Sequence, residues 1–222
     1  MPQSLLAGHD QFRRKWLAGG REFLQRLAAD GQSPDALYIG CSDSRVVPEL
    51  LTASAPGRLF VVRNIANVVP PLSHADASVG AALEYALGVL EVPNIIICGH
   101  YGCGGVKAMV DGGGGIAQHP SLFEWLQGVA PAVGRAHAEG HSGEELLRRA
   151  VEENVTQQLQ NLFTFRLVAD RVREGRLALH GWIYDMHTLA LTVYDPGTDR
   201  FHPAQTLLAA ESASPVTASP PV

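Results

Sequence analysis

The stretch NIIICGHYGCGGVKAMV, residues 94–110, opens with four apolar residues between Asn94 and Gly99 and then changes character. Three isoleucines and a cysteine in succession read as a strand buried on both faces, and Gly99 stops it. A glycine-rich turn carrying His100, Tyr101 and Cys103 follows, and a helix is expected from Cys103 to Val110. Strand, turn and helix in this order mark an α/β unit, and such units display their chemistry at the carboxyl ends of strands.

The same alternation extends in both directions. Upstream, Leu37 to Gly40 and Leu59 to Val62 read as two more buried strands, the second preceded by the turn signal Pro56-Gly57. Between them and residue 94, Val79, Leu83, Ala86, Leu87 and Leu90 recur at helical spacing, with Asp76 and Ser78 as candidate caps. Downstream, a helical stretch starts at Pro120 and is interrupted at Pro131, and one long helix is expected from Glu144 to Arg173. Leu177 to Tyr184 and Leu189 to Tyr194 read as two strands joined by a short turn. Gln11 to Ala29 reads as helix split at Gly19-Gly20. The expected fold is therefore α/β, a mostly parallel sheet flanked by helices, with an N-terminal helical arm at 1–30, a catalytic domain at 31–211 and a disordered tail at 212–222.

Composition narrows the function. With 222 residues, 46% hydrophobic and 18% charged, the chain can bury a core of its own, which excludes a wholly disordered or collagenous protein. A net charge of -5, with no basic run, argues against a nucleic-acid partner. No stretch approaches the roughly 18 apolar residues of a spanning helix. Three cysteines are too few for a disulfide scaffold and read as reduced thiols or metal ligands. With charges where a signal peptide would be apolar, the N-terminus points to a cytoplasmic protein.

Two polar clusters follow strands: Cys41-Ser42-Asp43-Ser44-Arg45 after the first and His100-Tyr101-Gly102-Cys103 after the third. Thiolate and imidazole are zinc ligands, and Cys41, His100 and Cys103 make three. The fourth position falls to water, substrate or the nearby carboxylate of Asp43. Cys98, inside the apolar strand, reads as core. The remaining histidines lack ligand spacing, and the glycines from 99 to 105 do not meet the dinucleotide-binding pattern; they let backbone pass close to the metal.

At these residues the sequence resembles the β-class carbonic anhydrases. CSDSRVVPE at 41–49, FVVRNIANVV at 60–69, LEYALGVLEVPNIIICGHYGCGGVKA at 83–108, EENV at 152–155 and HGWIYD at 180–185 occur in the family's order. The resemblance implies Zn(2+) on Cys41, His100 and Cys103, an Asp43–Arg45 carboxylate–guanidinium dyad, and reversible hydration of carbon dioxide to bicarbonate and a proton. It also implies a homodimer or homotetramer with N-terminal helices draped over the neighbour. Asp43 cannot serve Arg45 and the metal at full strength together, so closure of Asp43 onto zinc is an expected off-state. Some family members hold a regulatory bicarbonate on a Trp, an Arg and a Tyr; here the positions are Tyr38, Arg63 and Tyr184, and Tyr38 departs from the pattern. Leu189 replaces an expected turn glycine, and because leucine resists positive φ the hairpin is expected to be built differently. Competing readings are hydrolysis of a related cumulene such as carbonyl sulfide or carbon disulfide, and a non-catalytic bicarbonate-binding protein. A thiol oxidoreductase would require a CxxC motif, which the chain lacks.

Overall fold

The computed structural model describes residues 2–213. Its centre is a six-stranded sheet of order β2-β1-β3-β4-β5-β6, with β1 at Ala36–Cys41, β2 at Leu59–Asn64, β3 at Asn94–His100, β4 at Ala178–Tyr184, β5 at Leu191–Asp195 and β6 at Arg200–Pro203. The first four are parallel and β5 and β6 are antiparallel, giving the mostly parallel α/β sheet that the alternation predicts. The edge strand β6 is new relative to the sequence reading, because a four-residue strand carries too little periodicity to be seen.

Ten helices accompany the sheet among the described residues: α1 Gln3–Gly19, α2 Arg21–Asp30, α3 Pro48–Leu51, α4 Ala77–Gly88, α5 Gly104–Val110, α6 Pro120–Leu126, α7 Ala130–Ala138, α8 Gly143–Leu162, α9 Arg166–Arg173 and α10 Ala204–Ala213. Asp76 caps α4, its carboxylate accepting from the backbone N–H groups of Ser78 and Val79 at 3.0 Å. The single helix expected from Glu144 to Arg173 is two. Thr164 Oγ1 donates to the Asn161 carbonyl at 2.6 Å and Phe165 turns extended, which ends α8 and starts α9 in a new direction. The break at Gly19-Gly20 is present: the Trp16 ring lies over Gly20, where a Cβ would sit 2.0 Å from a ring carbon. Of the tail expected at 212–222, Ser212 and Ala213 end α10 and the rest lies outside the described residues.

The main core lies on one face of the sheet, where Leu37, Ile39, Ile95 and Ile97 meet apolar side chains of α4, α5, α7 and α8. Helix α8 presses closest. A Cβ at Gly99 would come within 2.7 Å of Val155, and one at Gly181 within 2.9 Å of Leu159. The opposite face carries a smaller cluster of Ala36, Tyr38, Ile96 and Cys98 against Leu51, Val61, Trp182 and Tyr184. Helices α1 and α2 bury none of their own residues.

One expectation is corrected in the β4–β5 turn. Leu189 does adopt the left-handed conformation, at φ 59°, so the turn is built as a glycine would build it. Its side chain is 73% exposed, so no packing opposes that backbone, which costs about 1 kcal/mol.

Candidate active site

Three elements converge at the carboxyl end of the parallel strands. Cys41 is the last residue of β1, His100 the last of β3, and Cys103 the residue that caps α5. Gly102, at φ 76°, turns the chain back between the latter two. The potential ligand atoms of Cys41, His100 and Cys103 all lie within 4.8 Å of one another, and the two sulfurs are 3.9 Å apart. All three residues are buried, His100 to 1% exposure.

The chemistry of this set fits a zinc ion. His100 Nδ1 lies 3.2 Å from the Tyr101 carbonyl, and an imidazole donating there presents the Nε2 lone pair to the cluster. That Nε2 is buried with no hydrogen-bond partner among protein atoms. An imidazole nitrogen beside two thiols supplies three of the four donors of a tetrahedral zinc site, the open-position pattern of a catalytic zinc. The thiols already behave as a pair. Their hydrogen bond, in which either sulfur can donate, holds the Cys41 thiol below its ordinary range against the opposing effect of burial, while the same contact and burial push Cys103 up. Two sulfurs this close resist ionising together without a neutralising partner, which a divalent cation would supply.

Asp43 and Arg45 stand at the mouth of the cluster. Arg45 Nε donates to Asp43 Oδ1 at 2.9 Å and Nη2 to Oδ2 at 2.6 Å, while the Arg45 backbone N–H adds a third bond to Oδ1 at 3.0 Å. These bonds hold the carboxyl well below the usual carboxylate range, so Asp43 is ionised. Asp43 Oδ2 is 4.0 Å from His100 Nε2. Thus Asp43 sits beside the ligand set with its carboxylate turned to Arg45.

Tyr38, Arg63 and Tyr184 lie on β1, β2 and β4. Tyr38 is fully buried, its ring folded over Gly40, where a Cβ would meet it at 2.5 Å. Its hydroxyl faces the Cys98 thiol without a hydrogen bond, and burial pushes both pKa values up, that of Cys98 to about 12. Arg63 commits Nε to the Cys41 carbonyl at 2.9 Å and Nη2 to the Asp43 carbonyl at 2.6 Å. Tyr184 is the register partner of His100, and its carbonyl accepts from the Tyr101 N–H at 3.1 Å.

The structure adds residues that motif reading passed over. Tyr101 Oη donates to Glu152 Oε1 at 2.8 Å, with Arg148 3.7 Å above the ring. Ala66 and Asn67, in the turn after β2, are buried in the left-handed region at φ 61° and 49°. Ala66 carries no local signal for such a backbone, whereas Asn67 is of the non-glycine type that most readily adopts it. A cavity of about 740 Å³ lined by Val68, Pro71, His74, Trp125 and Asn161 holds none of the cluster's ligands.

Comparison with known proteins gives a consistent picture. The family model described as carbonic anhydrase matches residues 36–191. A carbonic anhydrase of Pseudomonas aeruginosa is 39% identical over 200 residues, covering 90% of each chain. One from Synechocystis is 40% identical over 196 residues, covering 87% of this chain and 71% of its own. Among solved structures, the β-carbonic anhydrase CcaA matches with a TM-score of 0.86 and 38% identity over 91% of this chain and 92% of its own. A tetrameric β-carbonic anhydrase of Sordaria macrospora matches with a TM-score of 0.73 and 30% identity, over 91% and 95%. With the family model spanning both polar clusters and the sheet of β-class structures shared, the chain belongs to the β-class carbonic anhydrases, a family of lyases.

Proposed function

We propose that this protein catalyses the zinc-dependent, reversible hydration of carbon dioxide to bicarbonate and a proton. The observation that carries the reading is the buried Cys41–His100–Cys103 cluster, with its orphaned imidazole nitrogen, directly beside an ionised Asp43. Zinc, when bound, supplies Lewis acidity that ionises water far below its ordinary pKa. The chain does the rest. Cys41 and His100, on strand ends, and Cys103, at the start of α5, would hold the ion, and two thiolates would temper its charge, so activity should rise on the alkaline side of neutrality. Asp43, oriented by Arg45, accepts a hydrogen bond from the attacking water and fixes its direction toward the carbon of carbon dioxide. In the arrangement described here Asp43 is engaged by Arg45; loss of that partner would free it to occupy the fourth ligand position and silence the site.

Tyr38, Arg63 and Tyr184 we assign a structural task in place of a regulatory bicarbonate pocket. A buried Tyr38 ring covers Gly40, and Arg63 uses two donors to brace the segment from Cys41 to Asp43. A homodimer or homotetramer is the proposed assembly: α1 exposes Leu5, Leu6, Phe12 and Leu17, an apolar set that a second copy would cover. Three free cysteines suit a reducing, cytoplasmic setting.

The test is stopped-flow carbon dioxide hydration by the zinc-loaded protein from about pH 6.5 to 9. A rate that climbs with pH supports the reading. A fully zinc-loaded protein inactive across that range overturns it and leaves carbonyl sulfide or carbon disulfide as substrate, or a bicarbonate-binding role.

A further inference from the structure

Three buried side-chain amides on α8, Asn154, Gln158 and Asn161, stand at i, i+4 and i+7 and so share one helix face. Each holds the chain that follows β2. Asn154 Nδ2 donates to the Ala66 carbonyl at 3.0 Å, Gln158 Oε1 accepts from the Val69 N–H at 2.8 Å, and Asn161 Nδ2 donates to the Val69 carbonyl at 2.8 Å. They are also bonded to one another: Gln158 Nε2 donates to Asn154 Oδ1 at 2.9 Å and Asn161 Nδ2 to Gln158 Oε1 at 3.2 Å. With every carbonyl and amide group assigned by a partner, the ladder has a single orientation.

The ladder grips the segment 66–69: Gln158 and Asn161 hold Val69, and Asn154 holds the Ile65–Asn67 turn just before it, where Ala66 and Asn67 are buried and left-handed. Such a conformation persists only where its surroundings over-determine it, and it marks a functional constraint more often than a structural convenience. The turn and the residue before it approach the chain within two residues of every ligand. Just before it, the Asn64 carbonyl accepts from the N–H of Ser42, next to Cys41, at 2.8 Å. Asn67 Oδ1 lies 3.8 Å from where a Cβ on Gly99, next to His100, would be, and the Ala66 Cβ lies 3.1 Å from the corresponding point at Gly105, two residues past Cys103. The Ala66 backbone N–H also approaches the Cys41 sulfur.

We propose that Asn154, Gln158 and Asn161 are positioning residues for the metal cage: by holding the segment 66–69, Asn154 at Ala66 and the other two at Val69, they set the mutual placement of Cys41, His100 and Cys103. This rests on the reading that those three residues hold a metal ion. Outer partners that orient ligands commonly govern affinity as strongly as they govern activity.

The experiment measures zinc affinity by competition with a chromophoric chelator, together with the visible spectrum of the cobalt(II)-loaded protein, whose thiolate charge-transfer and d–d bands report ligand geometry. Three proteins are compared: wild type, Asn154→Ala, and Leu159→Ala, which loses packing on the same helix against Gly181. Asn154→Ala is expected to weaken zinc binding about 10- to 100-fold and to shift the cobalt bands. Leu159→Ala is expected to lower Tm while leaving both readouts at wild type. The proposal is overturned if Asn154→Ala binds zinc within about threefold of wild type with an unchanged cobalt spectrum, or if Leu159→Ala weakens zinc as much. Should Asn154→Ala not fold, Asn161→Ala, which loses the donor to Val69, is judged by the same criteria. A wild type that binds no zinc would refute the metal reading itself, an outcome distinct from a wild type that binds and variants that bind equally.

Discussion

Asp43 and Arg45, two residues apart, are joined by three hydrogen bonds that turn the Asp43 carboxylate along the guanidinium edge, with Oδ2 still 4.0 Å from the orphaned His100 Nε2. Each Asp43 oxygen is therefore held from one side by Arg45 while the carboxylate borders the ligand cluster. Replacing Arg45 by Ala should leave zinc content intact and lower kcat/KM by about 100-fold, because the carboxylate is no longer aimed. Arg45→Lys, a point charge without the two-pronged fit, should fall between. Zinc analysis beside stopped-flow kinetics checks this, and an Arg45→Ala enzyme within about threefold of wild type would contradict the role given to the dyad.

His180 supplies a pH dependence of stability. Its Nε2 lies 3.0 Å from Asn94 Oδ1, and burial alone lowers its pKa below the ordinary 6.5. The folded protein thus prefers the neutral ring. As pH falls below 6.5 the unfolded chain takes the proton first, so the contribution is complete above that pH and is lost on acidification toward the lowered folded-state value. Urea unfolding of wild type and His180→Gln at intervals from about pH 7.5 to 5 should show the wild type losing stability faster. Parallel curves would show that His180 does not carry the effect.

Tyr38 holds a buried hydroxyl with no hydrogen-bond partner among protein atoms. Tyr38→Phe removes that group and keeps the ring, so it should raise stability by about 1 kcal/mol, visible as a higher urea midpoint. Tyr38→Ala, which empties the space over Gly40, should cost about 3 to 5 kcal/mol. With that space filled by the ring, bicarbonate should slow hydration as an ordinary product, hyperbolically. A sigmoidal loss of rate with rising bicarbonate would show that a second site opens despite Tyr38.

Leu189 carries a left-handed backbone on an exposed side chain. Leu189→Gly should relieve that strain and stabilise the protein by about 0.5 to 1 kcal/mol without changing activity. A decrease in Tm would mean that the leucine makes a contact worth more than the strain, as on a surface covered by a second copy of the chain.

Much of this architecture is written locally. The buried strand of isoleucines 95 to 97, the helical spacing of Val79 to Leu87 behind the Asp76 cap, and the glycine split at residue 20 each depend on neighbours within a few residues, so propensity and periodicity reveal them; Gly99 does not stop the strand, which pairs with β4 as far as His100. Cys41, His100 and Cys103 are legible for the same reason: each follows a strand end, and α/β topology brings strand ends together. Other features depend on partners far away in the chain. Thr164, at the end of α8, accepts from the Leu72 N–H at 2.9 Å, 92 residues away, which no periodicity encodes; β6 pairs locally with β5 but is too short to show a period. The left-handed backbone of Ala66 is locally unfavourable, and its carbonyl is held by Asn154, 88 residues away. Sequence by itself determined which residues could form a metal cage. Tertiary structure decided what packs behind those residues, because buried amides must satisfy their hydrogen bonds wherever the fold places a partner, and Ala66 and Val69 in the chain after β2 are where α8 found it.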